Sequence, residues 1–217
     1  GWTQSPGGFC SVTETVTDIA NDTAHSTWDP PPHPLEVVAS SVPNDLPDGA
    51  MVVPPPPLKT VRRTTVPTIP KNYRRKRRRP GDPAHHADVF VDDGLLVAQG
   101  SNAKLNRHRR QLLHINDNVF RPNDTKDDEW RKEPISIKKL KKGDACWSTA
   151  KQILGWEVDS IAKTISLPAH RKTRLLEILQ QAEQKSRWSK RFCHKLLGEL
   201  RSMLLAIPGG SGLFCHL

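Results

Sequence analysis

The chain has 217 residues, enough for one good-sized domain or two small ones. However, 14 of its 19 prolines fall between Pro30 and Pro83, and a stretch so poor in backbone donors excludes a continuous packed core across it. The formal net charge of +10 points to polyanionic partners, and no apolar run approaches the length that spans a bilayer, so a soluble chain with no membrane partner is expected.

The first residues, GWTQSPGGFCSVTETVTDIANDTAH, carry Phe9, Val12, Val16, Ile19 and Ala20 on one helical face. Ser5-Pro6 supplies an N-cap hydroxyl followed by a first-turn proline. From Trp28 to His86 the chain turns to DPPPHP, VPPPPLK and VPTIPK, which predicts a disordered or polyproline-type insertion. That insertion ends in KNYRRKRRRP, in which Lys71, Arg74, Arg75, Lys76, Arg77, Arg78 and Arg79 form a nucleic-acid-binding or nuclear-import run. Without those seven the balance is 26 basic to 23 acidic residues, so the run supplies most of the excess. Ser101–Leu217 is nevertheless basic in its own right, with 23 basic against 12 acidic residues.

The stretch VFVDDGLLVAQ, Val89–Gln99, sets two apolar runs around an Asp92-Asp93-Gly94 corner and predicts a β-hairpin. Such a turn holds two carboxylates at one sheet edge, a place suited to hard cations such as magnesium. Taken alone, it reads first as ordinary turn chemistry. Asn102–Asn116 predicts a helix lying on a sheet, with Leu105, Leu112, Leu113 and Ile115 among basic residues. Ile153–Val158 and Thr164–Leu167 predict a second small hairpin. Beyond Pro168, Leu175, Leu176, Ile178, Leu179 and Ala182 form one apolar stripe. Phe192, Leu196, Leu197, Leu200, Met203 and Leu204 form another, which stops at Pro208-Gly209-Gly210. Four widely spaced cysteines without a C-x-x-C pair read as reduced intracellular thiols, nuclear or cytoplasmic.

In this order the pieces resemble the later part of a reverse transcriptase of a retroelement. Gly1, Trp2, Ser5, Pro6 and Phe9 resemble the family's loop and helix that line the incoming nucleotide and template. Phe90-Val91-Asp92-Asp93 resembles the aromatic-x-Asp-Asp hairpin of the palm, and Ile153-Leu154-Gly155-Trp156 the hairpin that grips the primer end. Leu196–Gly210 resembles a thumb helix with its closing turn.

The resemblance implies an α+β fold: a partial palm of β-hairpins with packed helices, then a helical thumb, interrupted by the Pro-rich basic insertion. The implied segments are 1–27 and 87–160 for the palm, 28–86 for the insertion and 161–217 for the thumb. It implies catalytic and metal-binding roles for Asp92 and Asp93, with Asp92 the more direct ligand. Nucleotide or template contacts are implied at Gly1, Trp2, Ser5, Pro6 and Phe9, and primer contacts at Leu154, Gly155 and Trp156. Two magnesium ions, with manganese as a substitute, would act on an RNA or DNA template–primer and deoxynucleoside triphosphates, in a chain belonging to a larger polyprotein. A lysine among Lys138, Lys139, Lys141 and Lys142 is implied as proton donor to pyrophosphate. The family's remaining metal-ligating aspartate and its fingers lie upstream of a position corresponding to Gly1, so no primer extension is expected of this chain alone. Two other readings stand beside this one: a non-enzymatic nuclear nucleic-acid-binding protein acting through Lys71–Arg79, and a degenerate element without activity.

Overall fold

The computed structural model describes residues 5–44, 46, 49–54, 69, 84–90, 93–120 and 134–203, with backbone alone for 5–9. Among them lie five α-helices and two small antiparallel sheets, an α+β arrangement. The chain divides into two units, Gly1–Asp45 with Val52–Trp147, and Leu46–Met51 with Ser148–Leu217.

The first unit begins with helix α1, Ser5–Ala24. Its threonines are poor helix formers, but Thr13, Thr17 and Thr23 turn their hydroxyls back to the carbonyls of Cys10, Glu14 and Ile19, which satisfies them inside the protein. Val16 and Ala20 then face a core shared with Trp28, Ala87 and Ile115. Strands β1 (His85–Phe90) and β2 (Asp93–Ala98) pair antiparallel from His85↔Ala98 to Phe90↔Asp93. Asp93 and Gly94, expected in the corner, are thus already paired in the ladder.

One side chain fastens this hairpin to α1. Asn21 Nδ2 donates to the Ala87 carbonyl at 2.8 Å, and the Ala87 amide donates to Asn21 Oδ1 at 2.7 Å. Both outward-facing backbone groups of Ala87 are thereby closed by one amide, which also seals that edge of the sheet.

Helix α2 runs Asn102–Phe120, longer than its apolar spacing predicts, and begins beneath the Ser101 hydroxyl, which accepts from the Lys104 amide. Among its polar residues, Asn106, His108, Arg109, Gln111, His114 and Asp117 are buried. Much of that face meets the start of the proline-rich stretch, residues 28–44 of the segment expected to be a disordered or polyproline-type insertion over 28–86. Trp28, His33, Glu36, Ala39 and Ser40 are all buried, and a short 3-10 turn forms at Val38–Ser40.

The reason is donor supply. Gln111 Nε2 donates to the Trp28 carbonyl at 2.6 Å, Arg110 Nη1 to that of Pro30 at 3.4 Å, and His114 Nε2 faces that of Pro31 at 2.9 Å. Arg110 also forks onto Glu36, with Nε 3.0 Å from Oε2 and Nη2 3.0 Å from Oε1. Arg109 reaches the Ala39 carbonyl and the Ser40 hydroxyl. Leu113 packs with Ala39 and with Leu140 of the short helix α3, Ile137–Lys141.

The second unit holds a three-stranded meander, β3 (Ala150–Ile153), β4 (Trp156–Asp159) and β5 (Thr164–Ser166), where a single hairpin was expected. The apolar run 153–158 is broken because Leu154 and Gly155 both take positive φ, 50° and 79°, and make a two-residue turn. Helix α4 follows Pro168 as Ala169–Glu183, and α5 is Lys190–Met203. Ile178, Ala182 and Leu196 form their shared core, flanked by Phe192 and Leu200. Leu176 and Leu179 of the predicted stripe are exposed.

Replacing Asn21 with Ala should strand two polar groups of Ala87, which is only 3 % exposed. Urea unfolding followed by circular dichroism is expected to show a loss of ~2–3 kcal/mol; a change below about 0.5 kcal/mol would remove Asn21 from the account of how α1 holds the hairpin.

Candidate functional site

Three places gather chemistry. The first is the β1–β2 turn. The register Phe90↔Asp93 leaves two residues between the paired ends, and both, Val91 and the predicted metal ligand Asp92, lie outside the described residues. Asp93 is described. Its Oδ1 accepts from Lys139 Nζ at 2.7 Å, an ion pair with both side chains about half exposed. Among the described contacts, Lys139 is the one of the four lysines singled out around α3 that reaches Asp93. An exposed pair of this kind contributes little stability, roughly 0–1 kcal/mol.

Gly1 and Trp2 lie outside the described residues, as do Lys71, Arg74, Arg75, Lys76, Arg77, Arg78 and Arg79. Ser5, Pro6 and Phe9 lie at the start of α1, with side chains outside the description.

The second place, in the other unit, is the β3–β4 turn. Leu154 and Gly155 form the turn itself, and Trp156 opens β4. Arg171 of α4 holds it: Nη1 donates to the Gly155 carbonyl at 3.0 Å and Nη2 to Ser202 Oγ of α5 at 2.7 Å. The guanidinium carbon lies 5.7 Å from the centre of the Trp156 ring, within cation–π range. So Leu154, Gly155 and Trp156 are brought together with a cation that sequence reading did not single out. Leu154 is 46 % exposed and has a left-handed backbone that a branched L-residue adopts only at a cost.

The third place is a set of buried histidines in the first unit, which sequence reading also missed. The rings of His85 (β1) and His108 (α2) lie 4.4 Å apart, with His25 6.3 Å from His85. Burial, reinforced by His108 and His25, pushes His85 down to about 3. Burial likewise takes His108 to about 4 against the opposing hydrogen bond that its Nδ1 donates to Gln111 Oε1, and His114 to about 4 against that to Pro31. Elsewhere in this unit His33 Nε2 lies 2.8 Å from Asp117 Oδ2, and the rings of His33 and His114 stack edge-to-face at 4.7 Å. The available signal was the spacing His114-x-x-Asp117, which puts two ligand-type side chains on one helix face.

No family model matches the chain, and no curated protein or solved structure matches it. Among the described residues, no helix is long and apolar enough to cross a membrane.

The depressed histidines fix a pH dependence. A base kept neutral by the fold takes up its proton near pH 6.5 once unfolded, so its contribution is whole above pH 6.5 and is lost as pH falls toward 4. His85, His108 and His114 should each contribute up to ~1.4 kcal/mol per pH unit to that loss. Urea midpoints compared at pH 7.5 and pH 5 are expected to fall clearly; a flat profile would show that these rings are solvated. At the other turn, Leu154→Gly relieves the left-handed backbone and should raise the stability of the second unit by ~1 kcal/mol, read from its thermal midpoint.

Proposed function

We propose that this chain is part of a retroelement reverse transcriptase, with the palm's metal-binding hairpin in its first unit and primer-binding and thumb elements in its second. The observation that carries the reading is the antiparallel pairing of β1 with β2, closed by Phe90↔Asp93 at the two ends of the Phe90-Val91-Asp92-Asp93 motif. It is supported by the long α1 before it, and by the tight turn at Leu154–Gly155 and the helix pair α4–α5 after it.

The fit to magnesium rests on donor chemistry. Asp93 offers hard carboxylate oxygens at an exposed hairpin end, and its present partner is already a cation. Asp92 and Asp93 would hold magnesium, which when bound supplies Lewis-acid activation and charge neutralisation for nucleotidyl transfer. Lys139, 2.7 Å from Asp93, balances the carboxylate's charge and is the lysine of its group placed to pass a proton to departing pyrophosphate. Gly1, Trp2, Ser5, Pro6 and Phe9 shape the nucleotide and template pocket in this reading. Trp156 offers a face for a base or sugar at the primer end, and Arg171 beside it attracts phosphate.

The runner-up is favoured by one feature, the seven basic residues of Lys71–Arg79, which would bind nucleic acid without catalysis. A fluorescent RNA/DNA hybrid with a recessed 3′ end separates the two readings by anisotropy. The polymerase reading expects Trp156→Ala to weaken binding by the ~1–3 kcal/mol of a lost stacking platform. It also expects Mn²⁺ binding, followed by water-proton relaxation, to vanish when Asp92 and Asp93 both become Asn. Binding indifferent to all three residues but abolished by neutralising Lys71–Arg79 would replace this reading with the runner-up.

A further inference from the structure

Three ligand-type side chains that have no part in the proposed function converge in the interior of the first unit. One ring nitrogen of His33, one of His114 and a carboxylate oxygen of Asp117 lie within 4.8 Å of one another. Their residues are 3 %, 2 % and 1 % exposed. We propose that His33, His114 and Asp117 form a site for one divalent cation of the zinc class.

The donor set argues for that class. Two imidazoles and one carboxylate suit zinc, whereas magnesium prefers an all-oxygen, largely hydrated shell. The spacing is close to what zinc needs. A tetrahedral ion with bonds of ~2.0–2.1 Å sets its ligands roughly 3.3 Å apart. His33 and Asp117, now at 2.8 Å, would open by about half an ångström, and the His114 nitrogen would close in by no more than about 1.5 Å.

The supports around the site are in place. His114 and Asp117 lie three residues apart on α2, and the same helix is anchored by the Arg110–Glu36 fork to the segment that carries His33. His114 Nε2 faces the Pro31 carbonyl at 2.9 Å, which fixes the proton there and leaves the lone pair on Nδ1, the usual outer-shell arrangement of a ligating histidine. That Nδ1 is buried without a hydrogen-bond partner among the described residues, a condition costing ~1–3 kcal/mol that a cation would relieve.

His33 sets the affinity. Its Nδ1 now accepts the Leu35 amide at 3.0 Å, so in the ion-free state Nε2 carries the proton and donates it to Asp117. To ligate through Nε2, the ring transfers that proton to Nδ1 and the Leu35 amide turns to another acceptor, with no net proton released. The ion therefore competes with an internal His33–Asp117 hydrogen bond. Three protein ligands leave the fourth position to water.

The test is zinc titration of the chelator-stripped 217-residue chain by calorimetry, with Co²⁺ absorption as a second readout. One equivalent of zinc should bind, raise the thermal midpoint and resist displacement by magnesium. His114→Gln and Asp117→Asn should each weaken binding by at least the ~10–100-fold typical of outer-shell losses, while His170→Gln leaves it unchanged. Folding of each variant is checked by circular dichroism. Should both fail to fold, Co²⁺ bound to the unsubstituted chain decides: four-coordinate visible bands without thiolate charge transfer support the site, and a thiolate band transfers the ion to the cysteines. Absence of stoichiometric zinc binding by the folded chain, or undiminished binding by folded His114→Gln, rejects the proposal.

Discussion

A proline-rich segment keeps all of its carbonyls and loses many of its amides, so it cannot satisfy itself by pairing with a neighbour strand. The first unit depends on how that deficit is met. Helix α2 turns a face of Gln111, Arg110, Arg109 and His114 inward, and these side chains donate to carbonyls at Trp28, Pro30, Pro31 and Ala39. A helix whose buried face is this polar would be a poor core element against apolar partners. Against a segment with surplus acceptors it is well matched, and the forked Arg110–Glu36 contact supplies the countercharge that a half-buried guanidinium requires.

The same match determines what sits near the hairpin. Helix α1 packs against both α2 and β1, and Asn21 holds the N–H and the carbonyl of one residue of β1, Ala87. Ile115 and Ala87 complete a core to which α1, β1 and α2 each contribute. Among the described residues the β1–β2 ladder has two strands, and it rests on α1 through Asn21 and on the core that Ala87 shares with Val16 and Ile115.

Several of these features were legible in the amino-acid order. Ser5-Pro6 marked the start of α1, Pro168 the start of α4, and the apolar runs around Asp92-Asp93 the hairpin, because caps and turns are chosen locally. The inward polar face of α2 was not legible. Periodicity counts apolar residues, and here Arg109, Gln111, His114 and Asp117 are buried by partners some 70–84 positions away, in a stretch whose prolines by themselves argue for disorder. His33 was lost to the same cause. The break at Leu154 was legible only through the resemblance: nothing in a leucine announces a left-handed turn, and read by composition Ile153–Val158 is a single β-compatible run.

The clasp between α2 and the 28–40 segment joins positions separated by a long intervening chain, 69 residues for Ser40 and Arg109. Closing such a loop is paid for in entropy, and the penalty grows only with the logarithm of loop length, roughly 0.6 kcal/mol for each doubling. Chain added between Pro54 and Ala84, ahead of the β1–β2 hairpin, therefore has little effect on the free energy of the unit. The contacts around Arg110 and Gln111 make the first unit tolerant of insertion at that one point in the chain, while a change of a single residue within 28–40 would shift every carbonyl that α2 must meet.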